Sequence, residues 1–328
     1  MQEHLVLATN HGVVIAQRDD TDWREFRRGL IGQQVTSVIA REGVILAGTT
    51  HGVFRSDDDG QTWHAASAGL AHQHVRWLAY HPDISDREYA GTEPAGLFVS
   101  HDGAQTWRAC AEVEQLRDRH QWMLPYSSEA GCVRGFAFHD SRAYAAVEVG
   151  GVLRSDDSGE TWRLAEGSAG KPDLNGPPEP FVYPDVHSIA VHPSSPDVVF
   201  APTGGGLYRS HDGGRTWTLL YDCYCRAAWI DPIDANHLLL GPADGVEQNG
   251  RIEETRDGGA TWHSAAIGLG TPWPQHMVER FFQIDDELWA VLSNGDLLVT
   301  SLTSLAWRKV LADVKDVTAL AALAALAG

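Results

Sequence analysis

The sequence predicts an all-β protein: a single seven-bladed β-propeller of four-stranded antiparallel blades, with residues 1–328 forming one domain. Three observations lead there. A short motif ending in tryptophan recurs along the whole chain, every interval between motifs holds runs of strand-forming residues, and no stretch reads as an amphipathic helix of core length.

The motif is clearest as "RSDDDGQTW", "VSHDGAQTW", "RSDDSGETW", "RSHDGGRTW" and "ETRDGGATW", ending at Trp63, Trp107, Trp162, Trp217 and Trp262. Degenerate copies end at Trp23 and Trp307. Successive tryptophans lie 40, 44, 55, 55, 45 and 45 residues apart, the period of one propeller blade. Before each motif comes a β-rich run with a glycine turn, as in "VILAGTTHGVFRS", which supplies strands B and C. Further upstream, "VTSVIA", "VRWLAY", "VRGFAF", "VHSIAV", "CRAAWI" and "ERFFQI" supply strand A, and the tryptophan segment is strand D.

The N-terminal residues align with strands B, C and D, so the first blade lacks its innermost strand. Val317 to Ala322 aligns with Val35 to Ala40 and fills that slot. The alternative for this alanine-leucine tail is a short helix, but a strand hides two sheet edges and closes the ring. The last few residues are expected to fray or turn helical.

Three adjacent aspartates in "RSDDDGQTW" suggest a metal site, yet only Asp58, Asp102, Asp157, Asp212 and Asp257 recur while their neighbours vary. A turn needs one recurring carboxylate; a metal needs several converging ligands. Aspartate and serine oxygens accept backbone N–H groups at a C-to-D turn, glycine supplies the positive φ, and tryptophan packs on the adjoining blade.

This pattern, Ser-x-Asp-x-Gly-x-Thr-Trp, resembles the Asp-box (BNR) repeat family, and the resemblance covers nearly the whole chain. The family includes sialidases, seven-bladed xyloglucan hydrolases, sortilin-type receptors and photosystem II assembly factors. It implies the propeller fold and leaves function open.

Composition narrows the options. The chain carries 25 basic and 44 acidic residues, a net charge of −19. That field repels phosphate backbones and anionic lipid, so neither nucleic acid nor membrane is an expected partner. The N-terminus has no signal-peptide pattern, and a cytoplasmic location is expected. Cys110 and Cys132 flank an insertion; they could pair if oxidised, and in a reducing cytosol they are expected as free thiols. Cys223 and Cys225 stand one residue apart, which is not zinc-knuckle spacing.

In such a blade the D-to-A and B-to-C loops share one face, opposite the Asp-box turns. Both long insertions, at about 108–131 and 163–185, are D-to-A loops, so that face is the expected site. Aligning the A strands puts Thr36, Arg76, Arg134, His187, Arg226, Arg280 and Thr318 in one column lining the channel. Four arginines and a histidine in one layer suit a carboxylate, sulfate or phosphate, unless acidic neighbours pair with them. Glu93, Glu148 and Asp244 align at the B-to-C turns. They are the candidate pairing partners and equally the candidate catalytic acids and bases.

Tyr126, Tyr183, Tyr221 and Tyr224, with Trp122 and Trp273, fall in loops above and are placed to stack on a sugar or to pack under their own loops. His81 and His192 precede prolines in turns on the other face. His72, His74 and His276 show no metal spacing, and His120 lies in the larger insertion. No metal or cofactor is expected.

Two functions follow. One is a hydrolase or lyase acting on an anionic or glycosidic ligand, with ligand contacts from Arg76, Arg134, His187, Arg226, Arg280, Tyr126, Tyr183 and Tyr224. Sialidases, which hold a carboxylate with three arginines, are similar in kind, but they are six-bladed and begin with an Arg-Ile-Pro element that this chain lacks. The other is a protein-binding propeller using an arginine-rich face, as the resemblance to photosystem II assembly factors implies. The aromatic, partly proline-rich insertions favour the enzyme.

Overall fold

The computed structural model describes residues 3–19, 22–173, 175 and 180–323. The expected fraying of the last few residues, and part of the 163–185 insertion, lie outside them.

Seven four-stranded antiparallel sheets form the ring, each ordered D-C-B-A. Their A strands are Val317–Leu323 in blade 1, Val35–Arg41 in blade 2, His74–Tyr80 in blade 3 and Cys132–His139 in blade 4. Blades 5, 6 and 7 use Ala190–Val191, Tyr224–Ile230 and Val278–Ile284. The C-terminal strand does close the ring, pairing antiparallel with His4–Thr9, strand B of blade 1. Its Val317 and Leu320 join Trp23 of blade 1 and Trp289, Val291 and Val299 of blade 7 in one buried cluster. Ring closure is therefore hydrophobic packing between first and last blades as much as strand pairing.

The Asp-boxes behave as turns. In blade 2, Asp58 Oδ1 accepts the Thr62 amide at 2.8 Å and the Ser56 hydroxyl at 2.8 Å, and Oδ2 accepts the Thr62 hydroxyl at 2.7 Å. Gly60 adopts φ 79°, and its amide donates to Ser56 Oγ at 2.9 Å. Asp102, Asp157, Asp212 and Asp257 repeat the pattern. The box tryptophans use their indole N–H in two ways: Trp63, Trp162 and Trp262 donate to the glycine carbonyl of their own turn, whereas Trp107 and Trp307 donate to the Ala66 and Ala265 carbonyls of the preceding blade at 2.8 Å.

Blade 5 departs from its aligned strand. The regular A–B ladder covers only Ala190–Val191, with an isolated bridge from Val186 to Thr203. Between those pairs the His187 amide donates to the Pro202 carbonyl at 2.9 Å, while Pro202 has no N–H to return.

The larger insertion contains a helix, α1, over Ala111–His120. Glu112 and Glu114 in its first turn and Arg117, Arg119 and His120 in its last complement the helix dipole. Only Val113 is buried, so no amphipathic period marks it. Glu112 fastens it to blade 4 by accepting the Trp162 amide at 2.9 Å.

Candidate functional site

Outside blade 5, each A strand enters the ring through a β-bulge, and the bulge decides which residue occupies the channel layer. Blade 3 pairs Val75 with Thr92 and Trp77 with Gly91, leaving Arg76 as the extra residue. The same irregularity isolates Thr36 and Arg134. In blade 7, Val278 pairs with Leu292 and Arg280 with Val291, so the extra residue is Glu279. Arg280 does not stand in the column with Arg76 and Arg134; it takes the place of Trp77, one step further along the strand. The layer therefore holds three arginines, His187 and a glutamate.

Every arginine in the layer meets a carboxylate. Arg76 Nη1 donates to Glu93 at 3.0 Å, and Arg134 Nη1 donates to Glu148 at 2.7 Å. Arg226 donates to Glu279, whose other oxygen lies 3.9 Å from Arg134 Nη2. Burial alone would raise the Glu148 carboxyl, but Arg134, with the Tyr126 hydroxyl at 2.8 Å, holds it well below the usual carboxylate range. Glu279 is likewise pulled down, Arg226 and Arg134 overcoming burial.

Arg280 crosses the channel. Nη1 donates to the carbonyls of His187 at 3.0 Å and Arg226 at 3.3 Å, and Nη2 to that of Arg134 at 3.0 Å. Its guanidinium carbon lies 4.7 Å from the Trp77 ring centroid. Burial, with repulsion from Arg134, lowers its pKa to about 9, leaving it a cation at neutral pH. Trp77, Arg134 and Arg280 border two cavities. One of about 270 Å³ opens at the loop face and includes Gln34, Thr36, Arg76, Glu279 and Thr318 in its wall. The other, of about 210 Å³, includes Phe136, Ala227, Phe281 and Phe282.

Of the expected site residues, Arg76, Arg134 and Arg280 line the mouth cavity, while Glu93 and Glu148 contact the arginines from outside its wall. Asp244 is not brought in. Ala243 pairs with Tyr224 at the place where Glu93 pairs with His74 and Glu148 with Cys132. One step on, Asp244 faces outward, bonded to Asn249 and Arg251.

Tyr224 sits between His187 and Arg226, at 3.4 and 3.1 Å from its hydroxyl. Tyr126 is exposed, and Tyr183 packs on the blade 4–5 core. Trp122 and Trp273 are buried, and the Trp122 indole N–H donates to the Gly170 carbonyl of the second insertion at 2.8 Å. Glu279 and Asp185 were missed. For Glu279 the signal was present, since aligning Val278 with Val75 puts Glu279 opposite Arg76.

The fold and its repeats define the class of protein: a seven-bladed β-propeller whose C-to-D turns carry Asp-box repeats. The BNR/Asp-box repeat model matches residues 54–65 and 208–219. The chain is 26% identical over 203 residues to an oligoxyloglucan-reducing end-specific xyloglucanase of Emericella nidulans, covering 54% of this chain and 24% of that protein. It is 25% identical over 191 residues to a xyloglucanase of Hypocrea jecorina, covering 53% and 21%. The chain thus spans under a quarter of the length of these curated relatives.

Among solved structures, an ancestral GH74 enzyme superposes with a TM-score of 0.62 at 16% identity, covering 93% of this chain and 40% of that one. YCF48 from Cyanidioschyzon merolae gives 0.63 at 13% identity, with 91% of each chain covered. YCF48 bound to D1 peptide gives 0.61 at 15%, covering 92% and 90%. These likenesses carry the fold.

Proposed function

We propose that the protein is a hydrolase-like propeller that binds a glycan end in the loop-face cavity. The observation that carries this reading is the mixed wall. Arg76, Arg134 and Arg280 stand with Glu279, Asp316, Asn10 and Gln34 around about 270 Å³, so the wall offers both donors and acceptors. Sugar hydroxyls both donate and accept and match such a wall, whereas a bare anion meets arginines already paired with carboxylates. Arg76, a quarter exposed, is the contact for a carboxylate where the sugar is acidic. The similarity to xyloglucanases supports a glycan ligand.

Hydrolysis would also need a protonated carboxyl, and Glu148 and Glu279 are held anionic. Glu279, in the cavity wall, is then a ligand contact or base, and Glu148, outside it, holds Arg134 in place.

The test is titration calorimetry with xyloglucan oligosaccharides, oligouronates, acetate and phosphate, with reducing-end release assayed in parallel. A glycan is expected to bind more tightly than either simple anion, and Arg76→Ala to weaken it at least about tenfold, as for a lost charged hydrogen bond. Absence of glycan binding, or full binding by Arg76→Ala, overturns the reading.

A protein ligand is the second reading. Met123 and Tyr126 are exposed on the insertion carrying α1, and the Tyr126 hydroxyl touches Glu148 beside the mouth. An alanine pair at these positions that loses a partner while keeping glycan affinity would favour it.

A further inference from the structure

Blade 5 breaks the arginine pattern of the channel layer. Where blades 3 and 4 place an arginine, it places His187, and two residues upstream stands Asp185. Glu148 reaches the same point from blade 4. One donor atom from each of the three lies within 4.8 Å of the others.

The imidazole is oriented for coordination. His187 is 1% exposed, and its Nδ1 lies 2.8 Å from the Cys225 carbonyl. A carbonyl only accepts, so Nδ1 carries a proton and Nε2 presents its lone pair. Nε2 faces Asp185 Oδ2 at 3.1 Å, with the Tyr224 hydroxyl at 3.4 Å. Two acceptors face each other there, an arrangement relieved only by a cation or a second proton.

Asp185 Oδ1 is buried and, among the described residues, makes no hydrogen bond. Room for this carboxylate depends on Gly204, since a Cβ there would lie 2.5 Å from Asp185 Oδ2. Arg134 engages Glu148 Oε2 at 2.7 Å and Tyr126 engages Oε1 at 2.8 Å, which fixes the third ligand from behind, as outer partners of metal-bound carboxylates do.

We propose that Glu148, Asp185 and His187 bind a divalent transition-metal ion at the rim of the channel. One imidazole nitrogen with two carboxylates suits zinc, which takes such ligands at about 2.0–2.2 Å and completes its shell with water. The imidazole disfavours calcium and magnesium, which select oxygen. His237 shows the contrast. Its two ring nitrogens each contact a different carboxylate at 2.8 Å, Asp231 and Glu254, so the two carboxylates lie at opposite edges of the ring and do not converge on one ion.

The test uses the full chain stripped with EDTA and titrated with Zn²⁺, Co²⁺ and Ca²⁺. One equivalent of Zn²⁺ is expected, with visible d–d bands for Co²⁺. Asp185→Asn, which keeps the side-chain shape, is expected to weaken Zn²⁺ at least about tenfold, and His187→Ala to abolish the Co²⁺ bands. The exposed His263→Ala is expected to bind as wild type. No stoichiometric Zn²⁺, unchanged binding by Asp185→Asn, or preference for Ca²⁺ overturns the proposal. If His187→Ala fails to fold, Asp185→Asn decides. Metal binding is read without any glycan, so its failure is separate from failure of the glycan reading.

Discussion

Replacing Arg280 by methionine tests whether the residue that left its expected column acts as a strut across the channel. Methionine keeps most of the stem and removes three hydrogen bonds, to the carbonyls of Arg134, His187 and Arg226 in blades 4, 5 and 6. Bonds from a charged donor contribute about 1.5–3 kcal/mol each, but the sum overstates the loss because the buried cation's desolvation is relieved. A net cost of about 3–5 kcal/mol follows. Unfolding entropy near 2.1 cal/mol/K per residue over 328 residues gives about 0.7 kcal/mol/K, hence a Tm lower by about 4–7 °C. Scanning calorimetry on the purified variant reads this directly. Arg24→Met, which removes an exposed pair with Asp19, should shift Tm by less than about 1 °C. An Arg280→Met variant as stable as wild type would refute the strut.

Other outcomes follow from the same geometry. Asp157→Ala removes bonds from the Ser155 hydroxyl and from the Thr161 amide and hydroxyl; it should cost about 2 kcal/mol and about 3 °C in Tm. Burial would raise the Asp157 pKa, but those bonds lower it, so its contribution is present above the unfolded value of about 4 and fades as pH falls below it. Calorimetry from pH 7 to pH 3 should therefore show the wild-type advantage shrinking. Deleting residues 317–328 strips the inner strand from blade 1 and buried Val317, Leu320 and Leu323. At about 1.5–3 kcal/mol per side chain this approaches a domain's whole stability, so size-exclusion chromatography should show aggregate, and a native monomer would contradict non-covalent closure. All four cysteines are free thiols. Burial pushes Cys110 up to about 12 and Cys132 higher still. DTNB should therefore label no more than Cys223 rapidly in native protein and all four after denaturation.

The fold was legible because a propeller writes its period into the sequence. The Asp-box fixes one turn per blade, and its spacing from the apolar A strand fixes the rest. The site was legible only in part, and the reason is register. Side-chain facing in a strand has period two, so a single bulge moves a residue between positions. Aligning "ERFFQI" on "VRWLAY" by its arginine put Arg280 in the ring, whereas the valine before Glu279 marks the true frame. Asp244 failed by the same one-residue margin. Helix α1 escaped for another reason: it buries only Val113, and charge placement rather than periodicity stabilises it.

The corrected register also explains how an acidic chain keeps four arginines around one channel. Those facing blades 3, 4 and 6 each enter with a carboxylate, Glu93, Glu148 and Glu279, and Arg280 enters with carbonyls instead. The mouth is therefore a polar surface of alternating sign, not a positive sink. Blade 5 is where this alternation changes character. His187 offers a lone pair where its neighbours offer N–H groups, and Asp185 and Glu148 add two more acceptors. Donors on one arc and acceptors on the other are what the proposed glycan contact at Arg76 and the proposed cation site at His187 each rest on. Arg134 joins the two regions, lining the mouth cavity while its Nη1 donates to Glu148.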